Sequence, residues 1–220
     1  FMSDNLKDSM VKLTQAKEQE MHARNMALQT QINPHFYYNT LSSIMVLAEN
    51  GDSETVVKMC RNLSQIMRYI TNTAETTVTL KDELDYVQKY LYCMKVRYQS
   101  SLNYIIHVDE SLLSQPVPKL IIQPIVENAI RYGSNCAPPW NISITSVVTE
   151  GSWQIEVTDS GPGFTEEAKE RITANIMKAI QNPGLPELKI NGLGTINVYL
   201  RWKMFCKGDI IFRYGNTAEG

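Results

Sequence analysis

Charge of one sign is missing from this 220-residue sequence: 21 lysines and arginines stand against 23 aspartates and glutamates, for a formal net charge of −2. No basic run or patch stands out, so the electrostatic footprint of a nucleic-acid binder is absent and no nucleic-acid partner is expected. Cysteine is scarce and scattered. Cys60, Cys93, Cys136 and Cys206 lack the close spacing that holds zinc or forms a redox pair, which leaves free thiols in a reducing compartment. Long apolar runs are missing too. Nothing approaches the roughly 20 residues needed to cross a bilayer, and no signal-peptide core opens the chain. Phe1 ahead of Met2, and an end at Gly220 without a terminal signal, read as an excised piece of a longer protein. What is present is 43% hydrophobic residues, enough to bury a core in one or two domains.

Residues 6–32 are charged and Gln-rich, with apolar positions at Leu6, Met10, Leu13, Met21, Leu28 and Ile32. These spacings approach a helix seam that Lys17 and Arg24 interrupt, so residues 1–27 are expected to form a helical, coiled-coil-like lead-in or a plain solvated helix. Pro34 breaks the run. The pattern resumes through Phe36, Leu41, Ile44 and Leu47, turns at residues 49–53, and continues through Val56, Met59, Leu63, Ile66 and Ile70. Two helices on a short turn make an αα-hairpin over residues 28–75. Its apolar stripe is too wide to leave in water, and pairing with a second copy into a four-helix bundle is the expected solution, a homodimer.

Beyond the Thr-rich stretch 71–79 the second part, residues 76–220, changes character. Thr79 with Asp82 resembles a capping box, followed by a helical face of Leu84, Val87, Leu91, Met94 and Tyr98. The later pattern predicts strands over 102–109 and 209–214, a β-hairpin from 140–149 and 153–158, and helices over 119–132, 166–180 and 195–205. Helices mixed with hairpin strands make this part α+β.

Three stretches of the second part suit a nucleotide. Asp159-Ser160-Gly161-Pro162-Gly163-Phe164 follows a strand: a carboxylate there can accept from an exocyclic adenine amine, and glycines let backbone approach a base. The same string also makes an ordinary turn. Asn191-Gly192-Leu193-Gly194 precedes a helix, where backbone amides and the helix dipole favour an anion, though a lone G-x-G is equally a plain loop. In the helix that follows Pro118, Leu120, Ile121, Ile125 and Ala129 can face a core while Glu127, Asn128 and Arg131 project polar groups, suited to Mg²⁺ bridging phosphates or simply to solvent.

Here the residues carry a resemblance. QINPHFYYNTL (31–41) resembles the phosphoacceptor box of LytS/YesM-type sensor histidine kinases, and IIQPIVENAIRYG (121–133) resembles their N box. DSGPGF (159–164) and NGLGTINVYLR (191–201) resemble the two glycine boxes, in the family's order. The resemblance implies a helical phosphoacceptor hairpin joined to a Bergerat-type (GHKL) ATP-binding domain, a two-layer α/β sandwich of the kind found in gyrase. It implies ATP and Mg²⁺ as cofactors. His35 would be the phosphoacceptor, Asn128 the Mg²⁺ ligand, Asp159 the adenine-binding carboxylate, Gly161 and Gly163 the adenine-side turn, and Gly192 and Gly194 the phosphate-side loop. Residues 164–191 would form a lid over ATP. A response-regulator receiver domain would be the partner, with membrane attachment through segments outside this chain and the present piece in the bacterial cytoplasm.

Some positions depart from the family. Tyr132 stands where His is usual, Thr195 where Leu is usual, and Tyr37 and Tyr38 where an aliphatic and an aromatic are usual. The family's pattern continues into a final strand past Gly220, which leaves the sheet edge open to being incomplete. ATP-hydrolysing relatives resemble one another in a Glu four residues before the metal-binding Asn. Pro124 occupies that place here and can take no proton, which favours transfer to a protein nucleophile over hydrolysis, with Glu127 beside Asn128 left open as a compensating base although adjacent helix residues point about 100° apart. Arg131 could face the phosphates or solvent, and Asn39 or Gln31 could orient the His35 ring. Two rival readings stand beside the kinase: a dimeric signalling module without catalysis, and a stand-alone ATPase switch.

Overall fold

The computed structural model describes residues 34–217 apart from 73, 182–193 and 207–209. The lead-in over 1–27, Gln31 and Gly192 therefore lie outside the described residues. The elements run in the order α1 (Pro34–Glu49), α2 (Ser53–Thr71), β1 (Thr77–Thr79), α3 (Leu80–Tyr98), β2 (Leu102–His107), β3 (Pro116–Pro118), α4 (Gln123–Gly133), β4 (Trp140–Thr149), β5 (Ser152–Asp159), α5 (Glu166–Gln181) and α6 (Gly194–Phe205).

The first two helices form the expected hairpin. Gly51, at φ +76°, makes the turn, and Asp52 caps α2 by accepting from the Thr55 amide at 3.1 Å. One face of α2, Met59, Leu63 and Ile66, is buried. Its cover comes from within the chain: α3 packs along both helices of the hairpin, with Phe36 on Tyr90 at 4.8 Å and Tyr69 stacked on Tyr86 at 4.8 Å. A second pair of faces stays open. Tyr38, Leu41 and Met45 on α1, and Val57 and Met67 on α2, are exposed at helical spacing.

The capping box at the start of α3 forms as the sequence suggests, with Thr79 and Asp82 exchanging side-chain bonds to each other's amides. Its apolar face, Leu84, Val87, Leu91 and Met94, is buried. β1 pairs antiparallel with β3, a two-stranded ribbon whose prolines sit where no ladder donor is needed. The main sheet has the order β2-β4-β5: β2 lies parallel to β4, and β4 antiparallel to β5 through a two-residue turn at Glu150-Gly151 with Gly151 at φ +82°. Leu102, Ile142 and Ile144 are buried, and α3, α4 and α6 pack in the same core. The second part is thus a helical layer on a mixed sheet, an α/β sandwich.

Two expectations need correction. The helix predicted over 119–132 begins only at Gln123, because residues 119–122 form a turn in which Leu120 takes φ +57°. The strand predicted over 209–214 is not formed among its described residues. A strand needs a ladder partner, whereas residues 210–217 are fixed by side chains: Phe212 against Tyr199 at 5.9 Å, Tyr214 against Phe164 at 6.1 Å, and Asn216 bound to the Phe164 backbone.

Candidate functional site

Helix α4 presents a few polar groups from an apolar shaft. Val126, Ala129, Ile130 and Gly133 are buried, Asn128 is partly exposed and Arg131 is exposed. No side chain of its own first turn caps it, although Pro124 there brings no N–H that needs a partner. The donors of the preceding turn are met from a distant element. Glu83, fully buried on α3, accepts from the amides of Leu120 at 2.5 Å, Ile121 at 2.8 Å and Ile122 at 3.2 Å, and from the Tyr69 hydroxyl at 2.5 Å. Lys119, also buried, donates to the Asn72 carbonyl and stands 4.6 Å over the Tyr69 ring. From α6, Arg201 donates to the carbonyls of Lys119 and Leu120, the latter at 3.1 Å.

Burial pushes the Glu83 carboxyl above its ordinary range, while Tyr69 and the three amides pull it back. Burial likewise depresses Lys119 and Arg201, and the negative charge of Glu83 opposes that in both. Sequence reading passed over all three. The signal was Glu83 on the apolar face of α3, three residues after Leu80 and four before Val87: a carboxylate placed there must find donors.

At the end of β5, Asp159 Oδ1 accepts the Gly161 amide at 2.8 Å, and its Oδ2 makes no hydrogen bond among the described residues. Gly161 lies close to the Asp159 carboxylate and to the last turn of α4. A Cβ there would lie 2.5 Å from Asp159 Oδ1 and 3.4 Å from Gly133 Cα, so the loop rests backbone to backbone on the last turn of α4. Gly163 has φ +70°, and a Cβ on it would stand 2.8 Å from the Asn216 side chain. That side chain accepts from the Phe164 amide at 2.6 Å and donates to the Phe164 carbonyl at 3.1 Å. Helix α6, which begins at Gly194, packs on α4. The fold thus gathers the helix bearing Asn128 and Arg131, the loop of Asp159, Gly161 and Gly163, and the helix that starts at Gly194. The Arg131 guanidinium lies 5.9 Å over the ring of its neighbour Tyr132.

His35 is exposed at the beginning of α1, next to a buried Phe36 anchored on α3. Asn39 is partly buried, and no hydrogen bond joins its side chain to His35 among the described residues; its carbonyl accepts from the Ser43 hydroxyl at 3.0 Å. No hydrogen bond or ion pair links His35 to α4 or to the Asp159 loop among the described residues. Both regions contribute to one apolar core, Phe36 from α1 and Val126, Ala129 and Ile130 from α4. Burial, and then the Glu127 carboxylate, push the Tyr37 hydroxyl up. Glu127, partly buried beside Asn128, accepts from Gln123 at 2.7 Å and is itself pushed up by burial.

The family model described as histidine kinase matches residues 23–102, and that of the histidine kinase-, DNA gyrase B- and HSP90-like ATPases matches residues 115–216. Among curated proteins the chain is similar to the sensor histidine kinase YesM of Bacillus subtilis, 33% identical over 74% of this chain and 27% of that one. It is 32% identical to the sensor protein LytS of Oceanobacillus iheyensis, over 90% of this chain and 33% of the relative. It is also 32% identical to the sensor histidine kinase YpdA of Escherichia coli, over 86% and 32%. The chain spans about a third or less of the length of these relatives.

Proposed function

Because this chain belongs to the sensor histidine kinases of the LytS/YesM type, we propose that it is their catalytic core, transferring the γ-phosphoryl group of ATP to His35. The observation that carries this reading is Gly161 seated on Gly133, which joins the Asp159 loop to the helix of Asn128. In this reading the free Asp159 Oδ2 accepts from the adenine amine, Gly161 and Gly163 admit the base, and Gly192 and Gly194 face the phosphates. Among the described residues no group of three or more His, Cys, Asp or Glu is arranged to hold a metal. Asn128, with a single amide oxygen on α4, would hold a Mg²⁺ whose other ligands came from the phosphates and waters.

An imidazole nitrogen of His35 attacks the γ-phosphorus: a P–N bond forms, the P–O bond to ADP breaks with ADP leaving, and the ring proton passes to the solvent to which His35 is exposed. Pro124, on α4 where hydrolysing relatives place a base, leaves water without an activator. The phosphoryl group then passes to an aspartate of a response-regulator receiver domain. The open faces of Tyr38, Leu41 and Met45 and of Val57 and Met67 suit a second copy of the hairpin, giving a homodimer. No described helix is long and apolar enough to cross a membrane. Attachment to the membrane is assigned to parts of the protein beyond this chain, with this core on the cytoplasmic side.

The test is incubation of the purified chain with γ-labelled ATP. Acid-labile label is expected on the native chain and is expected to vanish in His35→Gln. Label retained in that variant rejects His35. Nucleotide turnover without a phosphoenzyme favours the ATPase switch, and neither turnover nor label favours the silent signalling module.

A further inference from the structure

The turn over residues 119–122 is where α2, α3, α4 and α6 meet, and Glu83 is at its centre. We propose that Glu83 is a positioning residue for the nucleotide site: its carboxylate fixes the start of α4, and its bond to Tyr69 couples the end of the phosphoacceptor hairpin to that helix. The proposal rests on the function proposed above only for what α4 carries.

Three observations argue for positioning rather than plain packing. A buried carboxylate is unfavourable unless fully paired, and an apolar residue of like size would fill the space at least as stably. Glu83 is fully paired, and every backbone partner lies in the turn before α4. Second, that turn holds Leu120 at φ +57°, a conformation a leucine keeps only when its surroundings dictate it. Third, the turn is gripped from both sides. The hairpin reaches it through the Tyr69 hydroxyl on Glu83 and the Asn72 carbonyl on Lys119, and α6 reaches it through Arg201. α3 has its own cap at Thr79, so Glu83 is not needed to start the helix it belongs to. A shift of the last turn of α2 therefore has a short, fully bonded route to the helix of Asn128.

Two variants of the full chain test this. Glu83→Gln keeps the shape but replaces one carboxylate oxygen by an NH₂, which in either orientation sets a donor against at least one of the amides of Leu120, Ile121 and Ile122. Its amides over 120–133 are expected to exchange at least about tenfold faster with solvent while the β4–β5 hairpin keeps its rates, and ATP affinity is expected to fall by about tenfold. Tyr69→Phe keeps the ring stacked on Tyr86 and beneath Lys119 and deletes only the hydroxyl. It is expected to leave KM for ATP within about twofold and to lower kcat for phosphohistidine formation by about tenfold. Exchange over 120–133 that is unchanged in Glu83→Gln, or raised equally throughout the chain, overturns the positioning role. An unchanged kcat in Tyr69→Phe overturns the coupling. A native chain that binds no ATP overturns the proposed function instead, and the exchange arm still decides whether Glu83 sets α4.

Discussion

A carboxyl group drawn out of water holds its proton longer, and Glu127 on α4 is such a group. Its folded-state pKa lies above the unfolded value of about 4.3. Its contribution to stability is therefore fully present below that pH and is lost as pH rises through the raised folded value. Replacing it with the permanently neutral Glu127→Gln removes that loss. The melting temperature of the variant is expected to gain on the native chain as pH climbs from about 4 toward neutrality and then to hold a constant lead. Glu83 shifts in the same direction but is present in both proteins, so it cancels in the difference. Parallel melting curves across that range would show that Glu127 ionises as freely in the folded chain as in the unfolded one. Burial also sets the character of Cys93, whose thiol is pushed up to about 12, which makes it a packing group and not a nucleophile at neutral pH.

Among the elements, the loop after β5 is held by backbone geometry more than by packing. Gly163→Ala places a Cβ in a left-handed residue and against Asn216, which clamps both polar groups of the Phe164 backbone. A loss of about 1–2 kcal/mol is expected, together with faster exchange of the Phe164 amide. A Phe164 amide as protected as in the native chain would refute it. This loop was legible in the sequence because its two glycines and its aspartate are neighbours, and so were α2 and α3, whose stripes of Met59, Leu63 and Ile66, and of Leu84, Val87, Leu91 and Met94, repeat with the helix. The turn before α4 was not. Residues 119–122 read as the continuation of an apolar helix, but Pro124 disfavours helix through them and a carboxylate 37 residues before Leu120 claims the amides of the turn. The run from Phe212 to Tyr214 failed for the opposite reason. It has strand-like residues but no ladder partner, and rings and the Asn216 amide hold it instead. Of the candidate site, the glycine turn and the polar face of α4 were visible as motifs, while the burial of Glu127 beside Asn128 depends on how other elements, α3 among them, pack on that helix.

For the molecule as a whole, the hairpin has two kinds of apolar face, and only one is covered by the rest of the chain. The sequence stripe was read as wanting a second copy; α3 takes Met59, Leu63 and Ile66, and the remainder, Met45 and Val57 among them, is left 59% and 56% exposed. The native chain is expected to sediment as a dimer and the double variant Met45→Glu, Val57→Glu as a monomer, with ATP affinity unchanged because neither residue touches α4. A double variant that remains dimeric would place the association surface elsewhere. Size enters in one further way. Helix α4 has eleven residues, a rod of about 16 Å. The turn leading into it is gripped by Glu83, and its last turn meets Gly161 with no side chain between them. Such a rod has no soft joint at either end, so a tilt imposed at the Glu83 grip reappears as a displacement of the Asp159 loop one helix length away. The glycines at 133 and 161 thus put backbone against backbone at that far end, where a Cβ on Gly161 would already touch Gly133 Cα at 3.4 Å.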